Sequence, residues 1–346
     1  MPEAAVPAFG DVDLDAVEDA VVRALADRAA AAGDSGLSVL GYGEISLVIG
    51  WPATRPTVAC KRLPRFPSPA AAEEYRERFE AYLALLVDRG VRPVRSEFRT
   101  VTPPRGGHVV GYVMQTVLPG DRLGPEVLRS SSPDPDQPML RAVTDCVLRV
   151  CDDHTGLDAQ ISNWAHDADG LHYLDVTTPM RFDDAGRMDL DMGLFLAAYP
   201  WALRAVIGRF VAPGVVGAYR DPRHVLVDMT ANLIKERLSG WIPAVLEVVN
   251  DVVSPAVGEA EVERYYRSDA PLGGDVAAQA GGPLVAAQHS APRVPVPASG
   301  PCRTLVTRDS CRPGSSAAAR AWWMRSRGRR TSAWPRCNSV ADQRSG

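Results

Sequence analysis

The chain has 346 residues, of which 46% are hydrophobic and 23% charged, an ordinary composition for a globular protein with ample core. Its net charge of −4 is unevenly spread: residues 271–346 contain eleven Arg, no Lys and three Asp, which leaves 27 basic and 39 acidic groups for the first 270 residues. An acidic body disfavours non-specific nucleic-acid binding, so such a function would depend on the basic C-terminal stretch alone.

The sequence shows no pattern typical of a targeting signal. The N-terminus has no basic segment leading into an apolar run, and the longest apolar stretch, Met192 to Ile207, is interrupted by Pro200. We therefore expect a cytoplasmic protein without a membrane span. The six cysteines include no CxxC pair, and three in apolar patterns are predicted to be reduced core thiols: Cys60, Cys146 and Cys151.

Hydrophobic periodicity predicts an α+β chain in four parts. Residues 1–34 hold an N-terminal helix, over Asp13 to Ala32. Residues 35–117 form a small unit of five antiparallel strands and one helix, with strands at 37–40, 45–49, 57–61, 95–101 and 108–116 and the helix at 69–87. Residues 118–268 are mainly helical, with helices at 139–151, 192–210, 224–238 and 242–253.

Residues 269–346 form the fourth part, which is rich in Gly, Ala, Pro, Ser and Arg and is predicted to be disordered. Two interpretations of this tail stay open. Its tryptophans and arginines could form a basic-aromatic patch for nucleic acid or a membrane, or the tail could be an extension without a function of its own.

One lysine stands out because arginine supplies 36 of the 38 basic residues. Lys61 ends the third predicted strand, twenty residues after the first glycine of Gly41-Tyr42-Gly43. The two glycines allow a backbone turn to approach phosphate oxygens, and Ser46 follows in the same loop. An ammonium at Lys61 can neutralise phosphate charge and needs an acidic partner. Glu80 on the following helix is the first candidate for that partner, and Glu77 the second.

A second set of polar residues lies after the helix at 139–151. Asp158 and Asn163 form a D-x4-N pattern, and Asp175 follows a strand-like run twelve residues beyond Asn163. One carboxylate can orient or deprotonate a hydroxyl nucleophile. An amide oxygen and a second carboxylate are hard oxygen ligands that suit Mg²⁺.

Taken in order, these residues resemble the protein-kinase-like fold, nearest the aminoglycoside and choline phosphotransferases, over residues 35–255. The resemblance implies a two-lobed molecule that uses ATP and Mg²⁺ to phosphorylate a hydroxyl of a small molecule. It implies that Asp158 is the catalytic base and that Asn163 and Asp175 are the magnesium ligands. The residues implied to bind the nucleotide are Gly41, Gly43, Ser46, Lys61 and, through a hinge backbone against adenine, Gln115 and Val117.

The chain also departs from that family. Ser46 takes the place of the third loop glycine, Gly156 that of the histidine before the catalytic aspartate, and Val176 follows Asp175 instead of Phe-Gly. No activation segment follows, which disfavours a regulated protein kinase. A nucleotide-binding or scaffold protein without transfer activity is therefore the alternative hypothesis. No GxSxG or GxxxxGK[ST] pattern supports a hydrolase or a P-loop protein.

Overall fold

The computed structural model describes residues 9–26, 37–42, 47–103, 108–191, 193 and 216–268. A 3₁₀ turn at Phe9–Asp11 precedes helix α1 (Leu14–Ala26), and the Asp13 carboxylate accepts a hydrogen bond from the Ala16 N–H at 2.9 Å. This side-chain acceptor satisfies a donor in the first turn of the helix. The N-terminal helix is thus confirmed as far as Ala26, and the rest of its predicted span lies outside the described residues.

In the described part of the chain, five strands form one antiparallel sheet in the order β1-β2-β3-β5-β4. The strands are β1 (Ser38–Tyr42), β2 (Leu47–Trp51), β3 (Val58–Phe66), β4 (Ser96–Val101) and β5 (Val109–Thr116). Helix α2 (Pro69–Asp88) connects β3 to β4, and it begins where the Ser68 hydroxyl caps the Ala71 N–H at 3.1 Å. The predicted α+β class, with a five-stranded antiparallel sheet, is confirmed.

The two faces of the sheet pack against different helices, because side chains alternate along each strand. One face meets α1 in a small core that includes Val17, Val21, Cys60 and Met114. The other face meets α2, and Phe66 and Phe98 pack there against α2 aromatic side chains. Consecutive residues of β3 therefore serve opposite sides of the sheet.

A buried ion pair fixes α1 to the first of these faces. Glu18 of α1 accepts two hydrogen bonds from the Arg62 guanidinium, both at 2.7 Å, and one from the Tyr112 hydroxyl at 2.6 Å. The Glu18 side chain is only 3% exposed, so this charge needs its partners to be tolerated. Sequence periodicity predicted α1 but gave no sign of this pairing.

The later part of the chain is mainly helical in the residues described. Its elements are α3 (Gly124–Arg129), α4 (Pro138–Val150), the hairpin β6 (Trp164–Asp167) and β7 (Gly170–Tyr173), α5 (Pro222–Lys235) and α6 (Ile242–Asn250), with a last helical segment at 259–268. Sequence analysis missed α3 and β6. The helix predicted at 192–210 and the tail at 269–346 lie outside the described residues.

The face of the sheet opposite α1 shares one continuous core with α2 and the later helices. Aromatic residues of α2, Val113 of β5, Val143 of α4 and Val225 of α5 all belong to it. The Val94 N–H also donates to the Tyr173 carbonyl at 2.9 Å, which joins the segment before β4 to β7. The described residues thus fall within one compact unit, and the boundary between 117 and 118 stays a prediction.

The three predicted core thiols are buried and free. Burial raises the pKa of Cys60 and of Cys151 to about 12 each, and it raises that of Cys146 as well. No helix among the residues described has the length and apolar character needed to cross a membrane.

Candidate functional site

Lys61 lies in the middle of the sheet, paired on β3 with Val48 of β2 and Val113 of β5. Its ammonium donates to the Leu174 carbonyl at 2.9 Å and lies 3.6 Å from an Asp175 carboxylate oxygen. The Lys61 side chain is 15% exposed and that of Asp175 is 31% exposed. The structure therefore brings together the lysine and the second carboxylate that the sequence singled out.

The Leu174 carbonyl is also bound from β5. The Gln115 side-chain amide donates to it at 2.8 Å and to the Ser96 hydroxyl at 3.0 Å. Gln115 is buried, so its amide group is committed to these partners. Leu174, the residue directly before Asp175, is consequently held by two adjacent strands: by β3 through Lys61 and by β5 through Gln115.

The loop between α4 and β6 carries Asp158 and Asn163. An Asp158 carboxylate oxygen accepts from the Gln160 N–H at 3.1 Å, which closes a local turn ahead of the 3₁₀ turn Ile161–Asn163. The Asp158 carbonyl accepts from the Tyr173 hydroxyl at 3.1 Å and from the Asn163 side-chain amide at 3.4 Å. This loop is thus fixed both internally and to β7.

Asn163 and Asp175 lie on neighbouring segments, because the Leu174 N–H donates to the Asn163 carbonyl at 2.8 Å. The negative charges support the same proximity. Burial raises the pKa of the Tyr82 and Tyr173 hydroxyls well above 10, and Asp158 and Asp175 both raise them further. Asp158, Asn163 and Asp175 therefore lie on segments that are hydrogen-bonded to one another, and Asp175 contacts Lys61; their joint role as one site stays a prediction.

Asn163 and Asp175 fit a magnesium ion by their chemistry. The Asn163 amide nitrogen is already donated to Asp158, which leaves the amide oxygen as the possible ligand, and the Asp175 carboxylate is part exposed. Both are hard oxygen ligands, and Mg²⁺ in nucleotide sites takes few protein ligands beside phosphates and water. Among the described residues, no group of three or more His, Cys, Asp or Glu side chains could hold a metal ion. A magnesium ion at this site would therefore need phosphate and water oxygens as further ligands.

Glu80 does not reach Lys61, which corrects the sequence prediction. Its side chain is 58% exposed and binds Arg76 of the same helix at 2.9 Å. The apolar run after Glu80 suggested an inward carboxylate, but the buried stripe of α2 consists of Ala72, Tyr75, Phe79, Tyr82 and Leu86. Glu80 follows Phe79 by one residue and so is turned about 100° from that stripe. The second candidate, Glu77, is exposed as well.

Only some of the predicted nucleotide-binding residues lie in the part of the chain that the structure describes. Gly41 lies at an irregularity in the β1–β2 pairing, and a Cβ placed on it would meet no atom within 4 Å. Gly43 and Ser46 lie outside the described residues. The Val117 N–H donates to the Thr57 carbonyl at 3.0 Å, and the contact of the Gln115 and Val117 backbone with adenine stays a prediction.

Several positions at this site were not found by sequence reasoning. The Thr177 hydroxyl donates to an Asp175 oxygen at 2.8 Å, and a Glu236 oxygen accepts from the Ser162 N–H at 3.1 Å. The hydroxyls of Tyr75 and Tyr82 donate to backbone carbonyls beside the site. The tyrosines gave a usable signal, since a tyrosine on a buried helix stripe must find a partner for its hydroxyl. The contacts of Thr177 and Glu236 depend on tertiary structure and left no such signal.

Comparison with known proteins gives a family but no activity. Residues 21–274 match the profile of a family of unknown function, DUF6206. No curated protein matches the chain. Because the match spans most of the sequence, the chain belongs to that family.

Proposed function

We propose that this member of DUF6206 is an ATP- and Mg²⁺-dependent phosphotransferase that acts on a hydroxyl of a small molecule. One observation carries the proposal: the Lys61 ammonium lies 3.6 Å from Asp175, on a segment hydrogen-bonded to the loop of Asp158 and Asn163. A cation from the sheet thus contacts one carboxylate of the stretch 158–175, and that stretch carries a second carboxylate and an amide on hydrogen-bonded segments. Such a group suits the positioning and charge neutralisation that phosphoryl transfer requires.

The sheet supports the proposal as well. Its strand order, with α2 between β3 and β4 and Lys61 on β3, agrees with the small lobe implied by the resemblance to protein-kinase-like phosphotransferases. Fold alone does not fix an activity, so the argument depends on the side chains. The two-lobed arrangement is part of this proposal.

Each residue has a defined role in the proposed reaction. Asp158 orients the acceptor hydroxyl and takes its proton as the hydroxyl oxygen attacks the γ-phosphorus, while the bond from that phosphorus to the β,γ-bridging oxygen breaks and ADP leaves. Lys61 would bind α- and β-phosphate oxygens, and Asn163 and Asp175 would hold the magnesium ion. When bound, that ion neutralises negative charge on the phosphates. Gly41 leaves open space for a phosphate group to approach β1.

Lys61 has a counter-ion in the protein itself. Its contacts with Leu174 and Asp175 direct it at the segment that would bind the metal, so a nucleotide phosphate would meet an ammonium already in place. An ammonium has three donors, and these two contacts do not exhaust them. Asp175 thereby serves as the acidic partner of Lys61, a role that the sequence had assigned to Glu80.

The missing contact between Lys61 and Glu80 favours one alternative, a nucleotide-binding protein without transfer activity. Titration calorimetry with ATP separates the two functions. Binding that needs magnesium, together with turnover, supports the phosphotransferase. Binding that is indifferent to magnesium, without turnover, supports the alternative.

The decisive experiment measures ATP turnover by the full chain over a panel of small hydroxyl compounds. We expect Asp158→Ala and Lys61→Met each to lower turnover by about a hundredfold or more, as loss of a transition-state contact does. Lys235→Met is the matched control, because Lys235 is the other lysine of the chain and is exposed in the last turn of α5. Equal turnover in wild type, Asp158→Ala and Lys61→Met would end the proposal.

Gly41→Ala tests the phosphate contact separately. The added Cβ meets nothing within 4 Å among the described residues, so folding should be unchanged. A rise in the dissociation constant for ATP would then show that the added methyl group clashes with the bound nucleotide.

A further inference from the structure

Helix α2 reaches both sides of the candidate site through two tyrosines. The Tyr75 hydroxyl donates to the Thr177 carbonyl at 2.7 Å, and the Tyr82 hydroxyl donates to the Gly156 carbonyl at 2.9 Å. Thr177 lies two residues after Asp175, and Gly156 lies two residues before Asp158. The two hydroxyls therefore bind the chain next to each candidate carboxylate.

Packing fixes the Tyr75 ring and so fixes the direction of its hydroxyl. The ring is 1% exposed, and its centroid lies 5.4 Å from that of Phe66 and 4.9 Å from that of Phe98. Phe79 stacks with it at a centroid distance of 6.2 Å. A ring held in this way carries a displacement of α2 directly to its hydrogen-bond partner.

The contact at Thr177 continues to Asp175. The Thr177 hydroxyl donates to an Asp175 oxygen at 2.8 Å, while its carbonyl accepts from Tyr75. Both groups belong to one residue, so the position that Tyr75 imposes on the Thr177 backbone also sets the donor that orients the carboxylate.

The contact at Gly156 acts on the other segment. The Gly156 N–H donates to the Met180 carbonyl at 2.9 Å, and its own carbonyl accepts from Tyr82. A Cβ at Gly156 would lie 3.0 Å from the Tyr219 carbonyl oxygen, so the chain is also closely packed there. These contacts stiffen the approach to Asp158 without the histidine that sequence analysis found missing.

We propose that Tyr75 and Tyr82 are positioning residues through which α2 orients Asp175 and Asp158, in place of a helix carboxylate bound to Lys61. This inference rests on the proposed phosphotransferase function. It assigns the two carboxylates to separate contacts: Tyr75 acts on the metal-binding side and Tyr82 on the side of the catalytic base. The acidic residues of α2 take no part.

The first test needs no ligand and uses hydrogen–deuterium exchange of the full chain. Tyr75→Phe and Tyr82→Phe keep each ring and remove one hydroxyl. We expect Tyr75→Phe to raise exchange about fivefold in peptides over 174–180, and Tyr82→Phe to do so over 154–160, as loss of one hydrogen bond implies. Tyr112→Phe is the matched control, because that buried hydroxyl binds Glu18 on the opposite face of the sheet.

The second test separates positioning from a general loss of structure. With an acceptor that wild type phosphorylates, Tyr75→Phe should raise the Mg²⁺ concentration for half-maximal turnover about tenfold, the effect of one lost hydrogen bond near the metal ligand. Tyr82→Phe should lower kcat about tenfold and leave the Mg²⁺ requirement unchanged. Tyr112→Phe should change neither.

The outcomes distinguish this inference from the function on which it rests. A wild type that neither binds nor turns over ATP would reject the proposed function, and the exchange patterns would still decide whether the tyrosines hold the two segments. An active wild type whose Tyr75→Phe and Tyr82→Phe variants behave like Tyr112→Phe in both tests would overturn the inference.

Discussion

Glu18 on the N-terminal helix and Arg62 on β3 form a two-pronged ion pair, both of whose hydrogen bonds are 2.7 Å long. Arg62 directly follows Lys61, and the two cationic groups serve opposite faces of the sheet. One face carries the candidate site and the other is covered by α1. Neighbouring residues of β3 therefore serve two purposes: Arg62 holds α1 on one face, and Lys61 belongs to the candidate site on the other.

Breaking this ion pair should destabilise the protein strongly. Arg62→Leu removes both guanidinium hydrogen bonds from Glu18, whose charge stays buried with the Tyr112 hydroxyl as a donor, and we expect a loss of about 3–5 kcal/mol in the free energy of unfolding. Urea denaturation measures the change. The double variant Glu18→Leu/Arg62→Leu should regain most of it, since no charge is left unpaired. A single variant as stable as wild type would contradict the prediction.

The same pair should make stability depend on pH at the acid end. Burial raises the pKa of Glu18, but hydrogen bonds from Arg62 and Tyr112 together lower it more, so the folded-state pKa lies below the usual value. Stability from Glu18 is therefore present above the unfolded pKa of about 4.3 and is lost as pH falls through the folded pKa. Urea unfolding between pH 7 and pH 3 should show a shallower acid loss in Glu18→Gln than in wild type. Parallel curves would refute this.

Glu80→Ala should be nearly silent. Its carboxylate is exposed and bound only to Arg76 of the same helix among the contacts of the described residues, and exposed pairs contribute little. We expect the urea midpoint to be unchanged and ATP turnover to stay within about twofold of wild type. Glu77→Ala is the control, as another exposed acid of α2. A large loss specific to Glu80→Ala would restore Glu80 as the partner of Lys61.

Cys60 and Cys151 should resist alkylation in the folded protein. Burial raises the pKa of each thiol to about 12, so almost no thiolate is present at pH 8, and neither sulfur is exposed. Iodoacetamide treatment followed by peptide mass analysis should leave both unmodified until denaturant is added. Labelling of either one in the native state at the rate of a free peptide thiol would show that the local packing is wrong.

Gly124→Ala should disturb the loop that carries Asn163, although Gly124 is far from that loop in the sequence. A Cβ at Gly124 would lie 2.3 Å from the Ile161 carbonyl oxygen, and Ile161 begins the turn that ends at Asn163. Backbone cannot yield easily, so we expect a loss of about 1–3 kcal/mol and weaker magnesium-dependent ATP binding. Gly120→Ala is the control, because a Cβ there meets nothing within 4 Å. Equal effects of the two substitutions would count against the steric explanation.

Sequence reasoning predicted much of the fold because α2 and α4 carry strong helical periodicity and β5 is a continuous run of mostly apolar residues. It also singled out Lys61, Asp158, Asn163 and Asp175 as candidates from their order along the chain, and the structure brings Lys61 and Asp175 into contact. It failed at Glu80, where a one-residue step around α2 separates the buried stripe from solvent.

Contacts that depend on register or docking lay beyond the sequence. The Gln115 side chain binds Leu174 because β5 lies beside β3, and Glu18 binds Arg62 because α1 packs on that face. Neither neighbour relationship can be read from local pattern. The hydroxyls of Tyr75 and Tyr82 lie between these cases, since burial was predictable but the acceptor was not.

The position of Glu18 has a practical consequence for anyone who trims this protein. The family match begins at residue 21, three residues after that glutamate. A fragment cut to 21–274 would keep Arg62 with no counter-ion and would uncover the apolar surface around Cys60 and Met114. Such a fragment should precipitate on expression, whereas one that starts at the first residue should stay in solution.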